Sequence, residues 1–194
     1  MTHNVYAEST PNPEVMKFVS NKIISKRNAE IKNINEATNV PLAVELFKLS
    51  IVKSIFIGSN FVSIKKKESF NWEDHAINIR SYISNYLNNS NIIDHTENID
   101  LKKTSHKKEV KKGQEETEEV TKKISNILEE YIKPAVESDG GEISLCSFKN
   151  NIVTVDLKGA CSGCPSSTTT LKLGIESLLK EKVDPNITVV ANPS

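Results

Sequence analysis

At 194 residues the chain is long enough for one or two small domains. Its 25 Lys plus Arg balance 25 Asp plus Glu, so net charge gives no support to nucleic acid or a membrane surface as partner. An apolar content of 37% with 26% charged residues fits a soluble globular protein with a sizeable polar segment, and no stretch approaches the roughly 20 apolar residues of a membrane span.

The chain opens with Met1 to Glu8, which lacks the blocks of a secretory signal and the Arg-rich make-up of a transit peptide. The expectation is a cytoplasmic protein. Residues 5–10 read as a strand, Thr10-Pro11-Asn12-Pro13 as a turn forced by two prolines, and 16–20 as a second strand with Met16 and Phe18 on one face. Residues 26–38 have no clear period and read as partly loop. Pro41 suits the first position of a helix, with Thr38 or Asn39 as cap and Leu42, Leu46 and Phe47 on one face. Alternation then takes over, and a turn at Gly58-Ser59-Asn60 makes 51–66 a hairpin. Asn71 caps a helix whose stripe is Trp72, Ala76, Ile79, Ile83 and Tyr86 or Leu87. His75 reads as a boundary residue and Lys65-Lys66-Lys67 as a solvated strand end.

From Asn88 to about Gly113 the chain is polar, with six lysines between Lys102 and Lys112. It reads as a flexible, charge-extended linker, with a basic arm for nucleic acid or an acidic partner as the weaker alternative. Acids at 115–119 then open a helix with Val120, Ile124, Ile127, Leu128 and Tyr131 in its stripe, stopped by Pro134. Ser138-Asp139-Gly140-Gly141 is a turn, followed by strands 142–148 and 152–157 about Lys149-Asn150-Asn151. A helix bearing Leu171, Ile175, Leu178 and Leu179 ends at Val183-Asp184-Pro185-Asn186, and 187–191 is the last strand. The fold class is therefore α+β: two small sandwich-type domains, 1–90 and 115–194, joined by a linker at 91–114. The second has the order α-β-β-α-β.

The chemistry concentrates in Gly159-Ala160-Cys161-Ser162-Gly163-Cys164-Pro165, between a strand and a helix. Three cysteines, two of them in a CxxC, do not make a disulfide framework. A helix starting at Pro165 places partial positive charge near both sulfurs and favours thiolate, the form that ligates iron or zinc. A [4Fe–4S] cluster or a closed zinc site wants four ligands, and this loop offers two, with none of the four histidines nearby in sequence. A symmetric dimer giving Cys161 and Cys164 twice is the simplest completion. Spacing alone leaves cluster binding, dithiol redox chemistry, zinc and no ligand open, in that order. Cys146, in mid-strand, reads as a small structural hydrophobe, with a third ligand as the alternative.

Asp139-Gly140-Gly141, Leu157 to Ser167, and Thr170-Leu171-Lys172-Leu173-Gly174-Ile175-Glu176 closely resemble the NifU-like C-terminal domain of Nfu proteins. Glu8-Ser9-Thr10-Pro11-Asn12-Pro13, Met16-Lys17-Phe18 and Val52 to Gly58 resemble the Nfu N-terminal domain. The resemblance spans nearly all of the chain except the linker. It implies an iron–sulfur cluster scaffold or carrier and no enzymatic activity. Two subunits would hold a [4Fe–4S] cluster between their CxxC pairs, here Cys161 and Cys164. They would receive it from upstream assembly machinery and pass it to apo iron–sulfur proteins, with no nucleic acid or membrane partner. The N-terminal domain would contribute partner recognition.

Overall fold

The structure, a computed structural model, describes residues 2–89, 115–162 and 165–192, with 115–117 and 165–168 as backbone alone. The expected linker at 91–114 and two residues of the motif, Gly163 and Cys164, lie outside the described residues. Both helices and strands build the chain, which is α+β. Its contacts divide it into two compact units. The first comprises Met1–Ile99 with the short segments Asp139–Gly141 and Lys158–Cys161. The second comprises Asp100–Ser138, Glu142–Leu157 and Ser162–Ser194.

The first unit is built on a five-stranded antiparallel sheet. Its strands are β1 (Val5–Ser9), β2 (Val15–Ser20), β3 (Ala29–Ile31), β4 (Val52–Ile57) and β5 (Phe61–Lys66), in the order β1-β2-β5-β4-β3. Alternation sends Phe18, Ile55, Ile57, Val62 and Ile64 to one face, where they form a core with Leu42, Leu46, Ile79 and Ile83 of helices α1 (Pro41–Phe47) and α2 (Trp72–Asn89). The stripe expected of α2 holds at Ile79, Ile83 and Leu87, while Trp72 and Tyr86 are half-buried at its margin.

Segment 26–38 is partly loop, as expected, and also carries β3 and the start of a 3-10 helix (Ile34–Asn39), both too short to show a period. The expected cap of α1 fails for an identifiable reason. That 3-10 helix occupies Thr38 and Asn39, so the N-cap of α1 is Val40, which makes no side-chain cap.

The second unit carries the strands β6 (from Glu142 to its end at Lys149), β7 (Ile152–Gly159, its last residues in the first unit) and β8 (Thr188–Ala191), in the order β6-β7-β8. Asn150 and Asn151 both have positive φ, 50° and 59°, which is the backbone a tight hairpin turn requires. β7 and β8 are parallel, Ile152 opposite Thr188, with α5 (Pro165–Lys182) as the crossover. Ile124, Val153, Val155, Ile175, Leu179 and Val189 form its fully buried core.

Pro134 does not stop the preceding helix. Helix α3 (Glu115–Ile127) runs through a π turn (Leu128–Ile132) into α4 (Lys133–Ser138). The Lys133 N–H donates to the Leu128 carbonyl, five residues back, and this widened turn lets the proline ring sit inside a continuing helix. The same widening changes the phase of the stripe. Ile124, Ile127 and Leu128 are buried, but Tyr131 is 48% exposed, with Lys182 Nζ 4.7 Å from its ring centroid.

Candidate functional site

The chain leaves β7 through Lys158 and turns at Gly159, whose φ is +66°. Gly140 turns the other segment, at φ +84°. The Ala160 N–H donates to the Gly140 carbonyl at 3.2 Å, tying the two turns together. A Cβ on Gly159 would lie 2.6 Å from the Gly140 oxygen, and one on Gly141 would lie 2.9 Å from Cys161 Sγ. Glycine is therefore required at both positions by close approach, and at Gly140 and Gly159 by φ as well. This packing leaves Cys161 only 5% exposed.

Side chains of the first unit fix the same two turns. The Asn12 side-chain amide donates to the Ala160 carbonyl at 3.1 Å, and Ser63 Oγ donates to the Gly140 carbonyl at 2.6 Å. Glu30 Oε1 accepts from the Gly159 N–H at 3.2 Å. Asn12 is itself held in the Pro11–Pro13 turn, where its Oδ1 accepts from the Glu14 N–H and Thr10 Oγ1 accepts from the Asn12 N–H. Asn12, Ser63 and Glu30 are not legible as site residues from spacing, because they lie 148, 77 and 129 positions from the backbone they hold. The one hint in the sequence is the place of Asn12 between two prolines.

The structure places Cys161 at the end of this arrangement, two residues after the end of β7, while its expected partner Cys164 lies outside the described residues. Among the described residues no three His, Cys, Asp or Glu side chains converge in a way that could hold a metal ion. Cys146 is not the buried small hydrophobe expected. It is exposed on β6, on the strand face opposite Ile143, and the Asn192 side-chain amide donates to its sulfur at 3.3 Å. Alternation is right about its phase, but the face it turns toward is not covered.

Comparison with known proteins settles the lineage. The family model described as "Scaffold protein Nfu/NifU N terminal" matches residues 5–90, and that described as "NifU-like domain" matches 124–190. The chain belongs to the Nfu family. Two mitochondrial NifU-like proteins of Arabidopsis thaliana, numbered 4 and 5, are each 32% identical to this Nfu chain over 182 residues, covering 92% of it. The human mitochondrial NFU1 iron-sulfur cluster scaffold homolog is 32% identical over 178 residues, covering 91%. The chain spans 62%, 64% and 66% of the lengths of these three relatives. A solution structure of a NifU-like protein from Saccharomyces cerevisiae aligns with 50% of this chain and 87% of its own at 23% identity and a TM-score of 0.44, too low a likeness to bear on the fold.

The cytoplasmic expectation does not stand, because these relatives are named as mitochondrial. It rests on the make-up of residues 1–8, and in a chain spanning part of its relatives' length that composition carries no address. Among the described residues no helix is long and apolar enough to cross a membrane.

Proposed function

We propose that this Nfu chain is an iron–sulfur cluster scaffold that holds a [4Fe–4S] cluster through Cys161 and Cys164 of two subunits and hands it to apo-proteins. The observation that carries the reading is the match of both family models together with relatives named as iron–sulfur cluster scaffolds. It is a carrier and not an enzyme: the cluster is cargo, and the only bonds exchanged are those between iron and cysteine sulfur. Two cysteines per chain are half a ligand set, which is why the functional unit is a homodimer. The domain limits that go with this reading are 1–90, a linker at 91–114, and 115–194.

Hand-over is ligand exchange at iron. An acceptor thiol loses its proton as its sulfur bonds to iron, and the released cysteine sulfur takes up a proton. No electrons are transferred, and four such exchanges move the cluster. A cluster shared between subunits is reachable from its edges, which suits delivery. Upstream assembly machinery supplies the loaded state.

Anaerobic reconstitution with iron and sulfide tests the reading. The expected product is a brown dimer with broad absorbance near ~400 nm, lost in Cys161→Ala and in Cys164→Ala, and discharged by an apo-acceptor. Unaltered iron uptake by either variant would overturn the assignment.

A further inference from the structure

The sheet of the first unit has a second face, and one row of residues crosses all five of its strands. Register places Glu8 opposite Lys17, Lys17 opposite Ser63, Ser63 opposite Phe56, and Phe56 opposite Glu30. These residues alternate with the apolar core set and so point away from α1 and α2. On an open sheet face the central members would meet solvent. Instead Phe56 is 1% exposed, Ser63 2% and Lys17 8%.

What covers the row is the pair of glycine turns that flank Cys161. Ser63 donates to the Gly140 carbonyl and Glu30 accepts from the Gly159 N–H, while Asn12 reaches the Ala160 carbonyl from the β1–β2 turn. The fit is close enough to exclude side chains. A Cβ on Gly140 would lie 2.6 Å from Ser63 Oγ and 3.4 Å from Lys17 Cβ, and one on Gly159 would lie 3.0 Å from Phe56 Cδ1. Lys17 is held in place by Glu8 at 3.7 Å and lies 4.9 Å from the Phe61 ring centroid. The hydrogen bonds that Ser63, Glu30 and Asn12 make to the turns all go to backbone, so these residues read the shape of the paired turns and not their side chains.

We propose that this row, with Asn12, is a docking surface for the chain's own Gly140 and Gly159 turns, and that docking keeps the Cys161 thiol shut until the loop is released. The inference rests on the scaffold reading for its purpose. With Cys161 only 5% exposed there is no room for a second subunit's share of a cluster, so loading and delivery both require the undocked form. Docking is then a gate on the same site. It keeps a thiol-bearing loop away from oxidants and stray metals while the protein is empty.

The test is alkylation of the full-length protein with iodoacetamide, without iron, in a Cys164→Ser background so that Cys161 is read separately from Cys146 by peptide mass spectrometry. Cys146 is exposed and serves as the internal reference. Docking predicts that Cys161 reacts at least about tenfold more slowly than Cys146. The double variant Asn12→Ala/Ser63→Ala removes two donors and speeds Cys161 about tenfold, leaves the Cys146 rate unchanged, and raises hydrogen exchange at the Gly159 amide. Equal rates for the two thiols in the parent protein, which needs no variant to fold, would overturn the proposal. So would a double variant that unfolds cooperatively yet reacts at Cys161 within about twofold of its parent. A Cys161 rate that rises or falls with protein concentration overturns the assignment to the chain's own loop, since a second copy would then be the occupant. Because no iron is present, failed cluster uptake would sink the scaffold reading without moving these rates.

Discussion

The two faces of the five-stranded sheet are buried by opposite means. One is covered by helices, and its burial is side chain against side chain: Phe18, Ile55 and Ile64 against Leu42, Leu46 and Ile83. The other is covered by two glycine turns, and its burial is side chain against backbone, through Asn12, Ser63 and Glu30. The first kind of contact is large, non-directional and hard to undo. The second is a few hydrogen bonds, each of modest net worth. A sheet built this way keeps its shape on one face while the other can release what it holds.

The sharpest way to break that contrast is in the helix-covered face. Phe18→Ala removes a fully buried ring and is expected to cost about 3–5 kcal/mol of stability. Calorimetry or urea unfolding should show the loss in the transition that monitors Trp72, whose ring lies edge-on to Phe18 at 6.3 Å between centroids. On the opposite face Gly159→Ala meets a positive φ and a 2.6 Å approach to the Gly140 oxygen. It should cost about 1–2 kcal/mol from the backbone alone and leave the fluorescence of Trp72 in the folded state unchanged. Ser63→Ala comes next, at about 1 kcal/mol, because the Gly140 carbonyl keeps its second donor, the Ala160 N–H. If Ser63→Ala proves as damaging as Phe18→Ala, the two faces are not different in kind.

The smallest effect belongs to a control away from the sheet. The Glu176 carboxylate accepts from Lys180 Nζ at 2.7 Å and from the Val189 N–H at 2.9 Å, pinning β8 to α5. The lysine first, and the amide second, hold its pKa below the ordinary carboxylate value of about 4.5. A carboxyl with a depressed folded pKa adds stability above its unfolded value and loses it as pH falls through the folded one. Glu176→Gln should therefore lower the melting temperature slightly at neutral pH, and the gap should close in acid. A gap that widens on acidification would mean the carboxylate is not stabilising β8.

Much of this is legible in the residues. Alternation places β1, β2 and the β4–β5 hairpin, helical spacing places α1, α2 and α5, and paired asparagines mark the β6–β7 turn. The cysteine loop is found from Cys161-Ser162-Gly163-Cys164 and its glycines. Three things are not legible. β3 and its following 3-10 helix are shorter than a period. The π turn at Leu128–Ile132 defeats a fixed 3.6-residue count, so Tyr131 reads as core and Pro134 as a stop. The row from Glu8 to Glu30 is assembled by strand order, and strand order is a property of the folded sheet rather than of any window of sequence.

The parallel pairing of β7 with β8 also has a consequence in time. Ile152 must wait for Thr188, and Val153 for Val189, before the sheet of the second unit closes. During synthesis the five strands and two helices of Met1–Ile99 have already emerged, and can fold, while Cys161 is still attached to an unfinished sheet. The sheet of the second unit is therefore completed only by its last strand, long after the strands of the first have been made.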